Sequence, residues 1–238
     1  VGLHAGATVL RGVDLAAGAA LTLRRSTFED LGSTGLRIDG QASVDNCVVA
    51  EAADGVVLGS TGDLSLRHST IALNNGTGID NAAGGLVSIA HSIVWNNPAA
   101  DVAGVPWADL SWSLSCSPDC TGTNDNVCAD PLFVNNTSDY RLQPTSPAFE
   151  HGPDPALFAA DPCLDLDGGR RALDHDGDGL ARIDIGAYER ENTSPLVPAV
   201  VNLRWTDGQT LEWDPVGAAA EYHVYRESVS NLGYAFFG

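Results

Sequence analysis

The sequence predicts an all-β chain whose first half coils as a parallel solenoid, and three observations predict it. Four segments align on a period of 21 to 23 residues, apolar residues alternate within each segment, and turn-forming Gly, Asn, Asp and Ser interrupt every run within a few residues. The segments are Leu21–Phe28, Ala42–Val49, Leu64–Ile71 and Val87–Val94, kept in register by Ser26, Cys47, Ser69 and Ser92. A second marker runs in parallel, a Gly followed by an apolar residue: Gly12-Val13, Gly35-Leu36, Gly55-Val56 and Gly78-Ile79.

Alternation with a period of two means strands with one buried face. Leucine-rich repeats share the repeat length but need a longer frame and usually a helix, for which these runs leave no room. The remaining solution is a coil of short strands, each turn stacked about 4.8 Å above the last, with apolar ladders inside. The expected extent is residues 7 to 104, with Leu23, Val44, Leu66 and Ile89 in one interior ladder. This is similar to a right-handed parallel β-helix, an architecture shared by pectin-active enzymes and many bacterial surface proteins.

Tight corners need positive φ, which the run Asn74-Asn75-Gly76-Thr77-Gly78 is expected to supply, and Asn and Ser at equivalent corners are expected to stack as ladders. His68 and His91 share a slot that holds Arg25 and Asn46 in earlier turns, which predicts an outward polar position. From Pro98 to Asn126 the period dissolves into loops carrying Trp107, Trp112, Cys116 and Cys120. Aromatic residues there suit a cover over the solenoid's end better than a sugar platform.

Composition excludes several functions. The chain carries 12 basic residues, all arginine, against 31 acidic ones, a net charge of −19. Such a surface repels nucleic acid and anionic membranes, whose binding rests on clustered cations. No apolar run reaches the roughly 18 residues of a membrane span, so no membrane insertion is expected of this segment. Of the five cysteines, Cys116, Cys120, Cys128 and Cys163 cluster in loop-like sequence. At least two of them are expected to be bridged in an oxidising compartment; zinc is the rival, lacking a C-x-x-C pair. Cys47, in an alternating apolar stretch, reads as an inert buried thiol.

After the repeat come Asp130-Pro131-Leu132-Phe133, Asp139-Tyr140-Arg141-Leu142, Ser146-Pro147-Ala148-Phe149, Gly152 and, much later, Asp184-Ile185-Gly186-Ala187-Tyr188-Glu189. This order resembles the tail of bacterial β-helix proteins of the choice-of-anchor Q type, over residues 20 to 190. Phe149-Glu150 departs from the aliphatic-Asp pair usual there. The resemblance implies an exported protein, displayed on the cell surface and joined to anchoring or adhesive modules, with no catalytic residue to carry over.

A polar linker, Asn192-Thr193-Ser194-Pro195, precedes a different alternation: Val201–Trp205, Leu211–Val216 and Tyr222–Arg226. These runs resemble strands A to C of a fibronectin type III domain, with Trp213, Pro215 and the Tyr222–Arg226 motif matching. Such a sandwich needs about 100 residues, so a partial domain is expected. The organisation is then solenoid over 1–128, a loop-rich cap with an Asp-rich loop over 129–192, and partial fibronectin-type sandwich over 193–238.

One local pattern carries chemistry. Asp174-His175-Asp176-Gly177-Asp178-Gly179 sets carboxylates at positions 1, 3 and 5 and Gly at 6, a loop that wraps oxygen ligands around calcium. Position 12 is Ile185 rather than Glu, so a free-standing Ca²⁺ loop is expected instead of an EF-hand. Its ligands are Asp174, Asp176, Asp178, the carbonyl of Leu180 and Asp184, with Asp165 and Asp167 completing this site or forming another. The competing explanation is an acidic turn whose Asp and Gly merely suit tight bends.

The function expected is an extracellular or cell-surface module, structural, adhesive or glycan-binding, with a polysaccharide or surface protein as partner. The alternative is a β-helix polysaccharide lyase or glycoside hydrolase, because fold alone does not fix function. The acidic residues of the repeat do not recur at one slot, whereas Arg24 and Arg67 share one.

Overall fold

The computed structural model describes residues 2–4, 12–106, 109–116, 121–152, 164–171, 174, 180–190, 204–205 and 211–212. Among these there is no α-helix. In chain order the strands are β1 (Gly2–His4), β2 (Val13–Leu15), β3 (Ala20–Glu29), β4 (Leu36–Ile38), β5 (Gln41–Ala50), β6 (Val56–Leu58), β7 (Asp63–Arg67), β8 (Thr70–Ala72) and β9 (Thr77–Asp80). There follow β10 (Leu86–Ala90), β11 (Ile93–Trp95), β12 (Ala100–Ala103), β13 (Leu110–Ser111), β14 (Phe133–Asn135), β15 (Asp139–Leu142), β16 (Arg204–Trp205) and β17 (Leu211–Glu212).

Every pairing from β1 to β13 is parallel and joins one coil to the next, which makes this part of the chain a β-solenoid. A first face stacks the leading half of β3 on that of β5, then β7, β10 and β13. A second stacks β1, the trailing halves of β3 and β5, β8 and β11. The third is β2-β4-β6-β9-β12. The expected ladder is present: Leu23 pairs with Val44, Val44 with Leu66 and Leu66 with Ile89.

The ladder goes further than the sequence suggested. Ile89 pairs with Leu110, and Leu114 bridges in parallel to both Ile93 and Val127. The solenoid therefore does not dissolve at Pro98. Leu110-Ser111-Trp112-Ser113-Leu114 is one more coil, disguised because Trp112 takes the slot of His91 and the next turn is a short loop.

The corners also differ from expectation. Positive φ falls on two columns of non-glycine residues: Arg25, Asn46, His68, His91 and Trp112 at 46–53°, and Asp30, Glu51, Leu73 and Asn96 at 55–57°. The conserved spacing of these columns puts the same left-handed kink in every coil, and neighbouring coils hold it in place. Gly35, Gly55 and Gly78 serve close approach instead. A Cβ on Gly35 would sit 2.7 Å from the carbonyl oxygen of Gly55, and one on Gly78 would sit 2.5 Å from that of Asp101.

Two polar ladders satisfy the backbone inside these corners. The Oγ atoms of Ser69, Ser92 and Ser113 accept from the N–H groups of Cys47, Ser69 and Ser92 at 3.1–3.3 Å. Asn74 donates its N–H to Oδ1 of Asn97 (3.1 Å), and Asn97 donates to Oδ1 of Asp101 (3.1 Å). Asp101 ends that column by accepting from Cys116 N–H as well. Each rung thus supplies the acceptor that these N–H groups of its neighbour need at the kink.

The chain divides into two compact units, Val1–Glu191 and Asn192–Gly238. In the second, β16 and β17 pair antiparallel, Arg204 with Glu212 and Trp205 with Leu211. The motif residues Trp213, Pro215 and Tyr222–Arg226 lie outside the described residues. No helix among those described is long and apolar enough to cross a membrane.

Candidate functional site

Alternation gives each coil an inner and an outer set of side chains, and the outer sets of the first two faces have different fates. On the second face the outward Val48, Ala50, Ala72, Ile93 and Leu114 are apolar and fully buried. The cap covers them with Phe133, Tyr140, Leu142, Ala148, Ile185 and Ala187. The signal was in the sequence: Cys47-Val48-Val49-Ala50 does not alternate, as befits a strand buried on both sides.

The closing segment Asp184–Glu189 lies along this face as a strap. Gly186 donates its N–H to the carbonyl of His91 (2.9 Å), and Ala187 donates to Oγ1 of Thr70 (3.1 Å). Gly186 has φ of 107°, and a Cβ there would meet Cδ1 of Ile93 at 2.8 Å, so this position requires glycine. Arg171 pins the strap. Its guanidinium donates to Oδ1 of Asn46 (2.6 and 3.0 Å), to the carbonyls of Gly186 and Ala187 (3.0 and 2.9 Å) and to Oε2 of Glu189 (3.5 Å).

His68 and His91 lie beneath the same strap. They are buried, not outward, with Nδ1 of His91 3.2 Å from Nε2 of His68 and ring centroids 4.6 Å apart. The inference from Arg25 failed because the cap covers the column only from Asn46 onward; Arg25 itself is exposed. An N···N hydrogen bond needs one ring to donate and the other to accept, so at least one imidazole is neutral.

The residues proposed as calcium ligands have separate surroundings. Asp176 and Asp178 lie outside the described residues, as do His175, Cys120, Cys163 and Trp107. Asp174 is half-buried and Leu180 exposed. Asp184 is fully buried, and its two oxygens accept from the N–H groups of Glu150 (2.7 Å) and Arg190 (2.8 Å). Burial pushes its carboxyl upward while those two donors hold it down. Asp165 is likewise engaged, by Gly169 N–H (2.7 Å) and Glu189 N–H (2.9 Å), and Asp167 is exposed. Among the described residues, no three His, Cys, Asp or Glu side chains stand together as a metal-binding group. Cys116 and Cys128 form a disulfide, and Cys47 is a free buried thiol that desolvation pushes up to about 11.

Among the described residues, no cap covers the outer set of the first face, where Thr22, Arg24, Gln41 and Ser88 are exposed and Ser43, Ser65 and Arg67 half-buried. Thr22, Ser43, Ser65 and Ser88 pair rung to rung and form a row of hydroxyls along the solenoid. Beside it Arg24, Asp45 and Arg67 form an ion ladder, with Nε of Arg67 3.0 Å and Nε of Arg24 3.8 Å from the Asp45 carboxylate. Asp45 is sealed between the two arginines, which themselves remain 62% and 40% exposed. On the other flank Gln41 donates to Asp63 at 3.2 Å. This is a flat polar strip with donors and acceptors at the spacing of the coils.

Asp30 and Glu51 hold the same left-handed corner of successive coils, and burial first, then Asp30, push the Glu51 carboxyl up. Arg24 and Arg67 share a column but both face the Asp45 carboxylate.

A solenoid of parallel strands closed by an irregular cap is a well-defined class. The family described as the right handed beta helix region matches residues 11–141, more than half of the chain, and the chain belongs to it. That family is found in surface proteins and in polysaccharide-acting enzymes. No curated protein and no solved structure matches the chain.

Proposed function

We propose that this chain is an extracellular surface module that holds glycans against the first face of its solenoid without cleaving them. The observation that carries this reading is the row of Thr22, Ser43, Ser65 and Ser88, exposed at its two ends and half-buried at Ser43 and Ser65, beside the Arg24–Asp45–Arg67 ladder. Hydroxyl donors and acceptors repeating at a coil's height of about 4.8 Å suit a ligand that is itself a repeating polyhydroxyl chain. Export is supported by the Cys116–Cys128 disulfide, a bond that persists in oxidising compartments.

The order of the tail motifs favours the choice-of-anchor Q type, and Val201–Trp205 with Leu211–Val216 favours the start of a fibronectin type III domain. In this reading the acidic loop takes one structural Ca²⁺ through Asp174, Asp176 and Asp178 with the carbonyl of Leu180. Alternating carboxylates repel one another unless a dication offsets their charge. Asp184 and Asp165 serve the cap through their backbone donors.

The test is incubation with pectin, alginate and mixed glycans, followed by thin-layer analysis for unsaturated or reducing sugars and by retention on the same glycans immobilised. Retention without product supports the module. Reproducible turnover abolished by Arg24→Ala or Arg67→Ala establishes the lyase alternative instead.

A further inference from the structure

Beneath the strap, His68 and His91 occupy successive rungs of one left-handed column, with φ of 47° and 52°, and both are buried. Nδ1 of His91 stands 3.2 Å from Nε2 of His68, within hydrogen-bonding distance. The strap is fastened to the same two rungs. Gly186 donates its N–H to the His91 carbonyl at 2.9 Å, and Ala187 donates to Oγ1 of Thr70, two residues after His68, at 3.1 Å. The imidazole contact and the strap's two hydrogen bonds to the solenoid therefore share one piece of backbone.

Proton count decides whether the contact exists. A neutral imidazole offers one N–H and one lone pair, whereas an imidazolium offers two N–H groups and no lone pair. The contact holds with both rings neutral or with one charged. A second proton sets N–H against N–H across 3.2 Å and two like charges at a centroid distance of 4.6 Å, so the rings must part.

We propose that the His68–His91 contact is an acid-sensitive latch: it holds the strap Asp184–Glu189 on the second face while the pair carries at most one proton, and a second proton releases the strap.

The surroundings oppose a second charge. Along the column the neighbours are Asn46 and Trp112, neither of which titrates, and Cys47 beside Asn46 stays a neutral thiol. One rung away the Arg171 guanidinium is a fixed cation on Asn46. Arg67, next to His68 in sequence, is offset by Asp45. At the end of the strap Arg190 lies over the Phe149 ring at 5.0 Å, and Arg182 precedes the strap by two residues. The cap brings three buried carboxyls. Asp184 accepts from the N–H groups of Glu150 and Arg190, and Glu189 accepts from Asp184 N–H and from Arg171. Glu150 sits on the segment that pairs with the strap through Ile185 N–H and the Ala148 carbonyl. His151 follows it and packs against Trp112 at 6.3 Å. Cations around the strap thus compete for the carboxyls that two imidazolium rings would need, and an unpaired buried charge is costly.

The sign follows from the proton count. In the unfolded chain both imidazoles charge near the ordinary value of about 6.5, while the closed latch takes one proton at most. The unfolded chain binds more protons in acid, so the latch's stabilisation is fully present above about 6.5 and is lost as pH falls below it.

The experiment compares the full chain with His68→Asn and His91→Asn by thermal melting and by hydrogen exchange of the Gly186 and Ala187 amides at about pH 7.5 and about pH 5. Asparagine already fills this slot at position 46 with φ of 53°, so the corner accepts it. Its side-chain oxygen accepts from the remaining ring whether that ring is neutral or charged. Between the two pH values wild type should lose about 2 °C or more of midpoint beyond what either variant loses. At the lower pH its Gly186 and Ala187 amides should exchange about tenfold faster than those of the variants, relative to the same comparison at neutral pH. Comparison at each pH removes the contribution of every other titrating group. In wild type alone, the ring-proton resonances of His68 and His91 should show the second proton arriving only as Gly186 loses protection, a reading that stands even if a variant fails to fold. Equal pH dependence in wild type and variants, or both rings charged while Gly186 and Ala187 stay protected, would overturn the latch.

Discussion

Arg171 holds the side-chain oxygen of Asn46, 125 residues earlier, through both Nε and a terminal nitrogen at 3.0 and 2.6 Å. Asn46 sits at the left-handed corner of its coil with φ of 53°, so the arginine reads a kink that recurs in every turn and fastens the cap to it. Its remaining donors go to strap carbonyls and to Glu189, and all of these groups are buried. Removing the guanidinium would take a donor from the Asn46 oxygen, from the carbonyls of Asp184, Gly186 and Ala187 and from the Glu189 carboxylate, all of them buried.

Arg171→Ala should therefore cost about 3–5 kcal/mol, as breaking a buried pair does. Arg171→Lys should recover little, since an ammonium cannot reproduce the planar fork. Urea denaturation measures both; a loss under about 1 kcal/mol for the alanine variant would mean the cap does not depend on this clamp.

Leu66 and Leu86 test the faces of the solenoid separately. Leu66 is fully buried in the interior ladder, whereas Leu86 is 70% exposed on the neighbouring coil. Leu66→Asp should unfold the solenoid locally and cost more than about 4 kcal/mol, because an unpaired charge enters a dry core. Leu86→Asp should stay within about 0.5 kcal/mol. Circular dichroism melts decide, and an unchanged midpoint for Leu66→Asp would place the register wrongly.

The disulfide closes a loop with a sequence separation of 12 around the last coil. Replacing Cys116 and Cys128 with serine should lower stability by about 2–4 kcal/mol, while alkylation of native protein should leave Cys47 unlabelled. Mass spectrometry before and after unfolding reads the second outcome; rapid labelling of native Cys47 would contradict its burial.

Calcium should raise the melting midpoint and a chelator should lower it. At 100-fold excess over the dissociation constant the gain is about 2.7 kcal/mol. Asp176→Asn and Asp178→Asn should abolish it, while Asp167→Asn should not. Identical midpoints with millimolar calcium and with chelator would remove the metal from the account.

What the sequence disclosed is what repeats. Leu23, Val44, Leu66 and Ile89 were legible as one ladder because alternation survives in each coil, and the spacing of Ser26, Cys47, Ser69 and Ser92 placed the serine column. The cap's contacts were not legible, since Asn46–Arg171 and Glu51–Tyr140 join residues whose separation follows no period. His68 and His91 were misplaced for the same reason: polar residues in a repeat look exposed until a distant segment covers them. Trp112 hid the last coil because a large aromatic replaced a histidine at a slot where only the backbone angle is constrained. The hydroxyl row was visible in the alternation of Thr22, Ser43, Ser65 and Ser88 but carried no meaning before the first face was known to be uncovered.

The central claim is that the first face binds glycan and does not cut it. Its most direct measurement is binding of the polysaccharide retained by wild type to a Ser65→Glu, Ser88→Glu double variant, with Leu86→Asp as a control outside the row. A loss of about tenfold or more, equivalent to about 1.4 kcal/mol, with unchanged melting midpoint and no released sugar from either protein, is the predicted result. Equal binding by wild type and the double variant, or release of sugar by wild type, would contradict it.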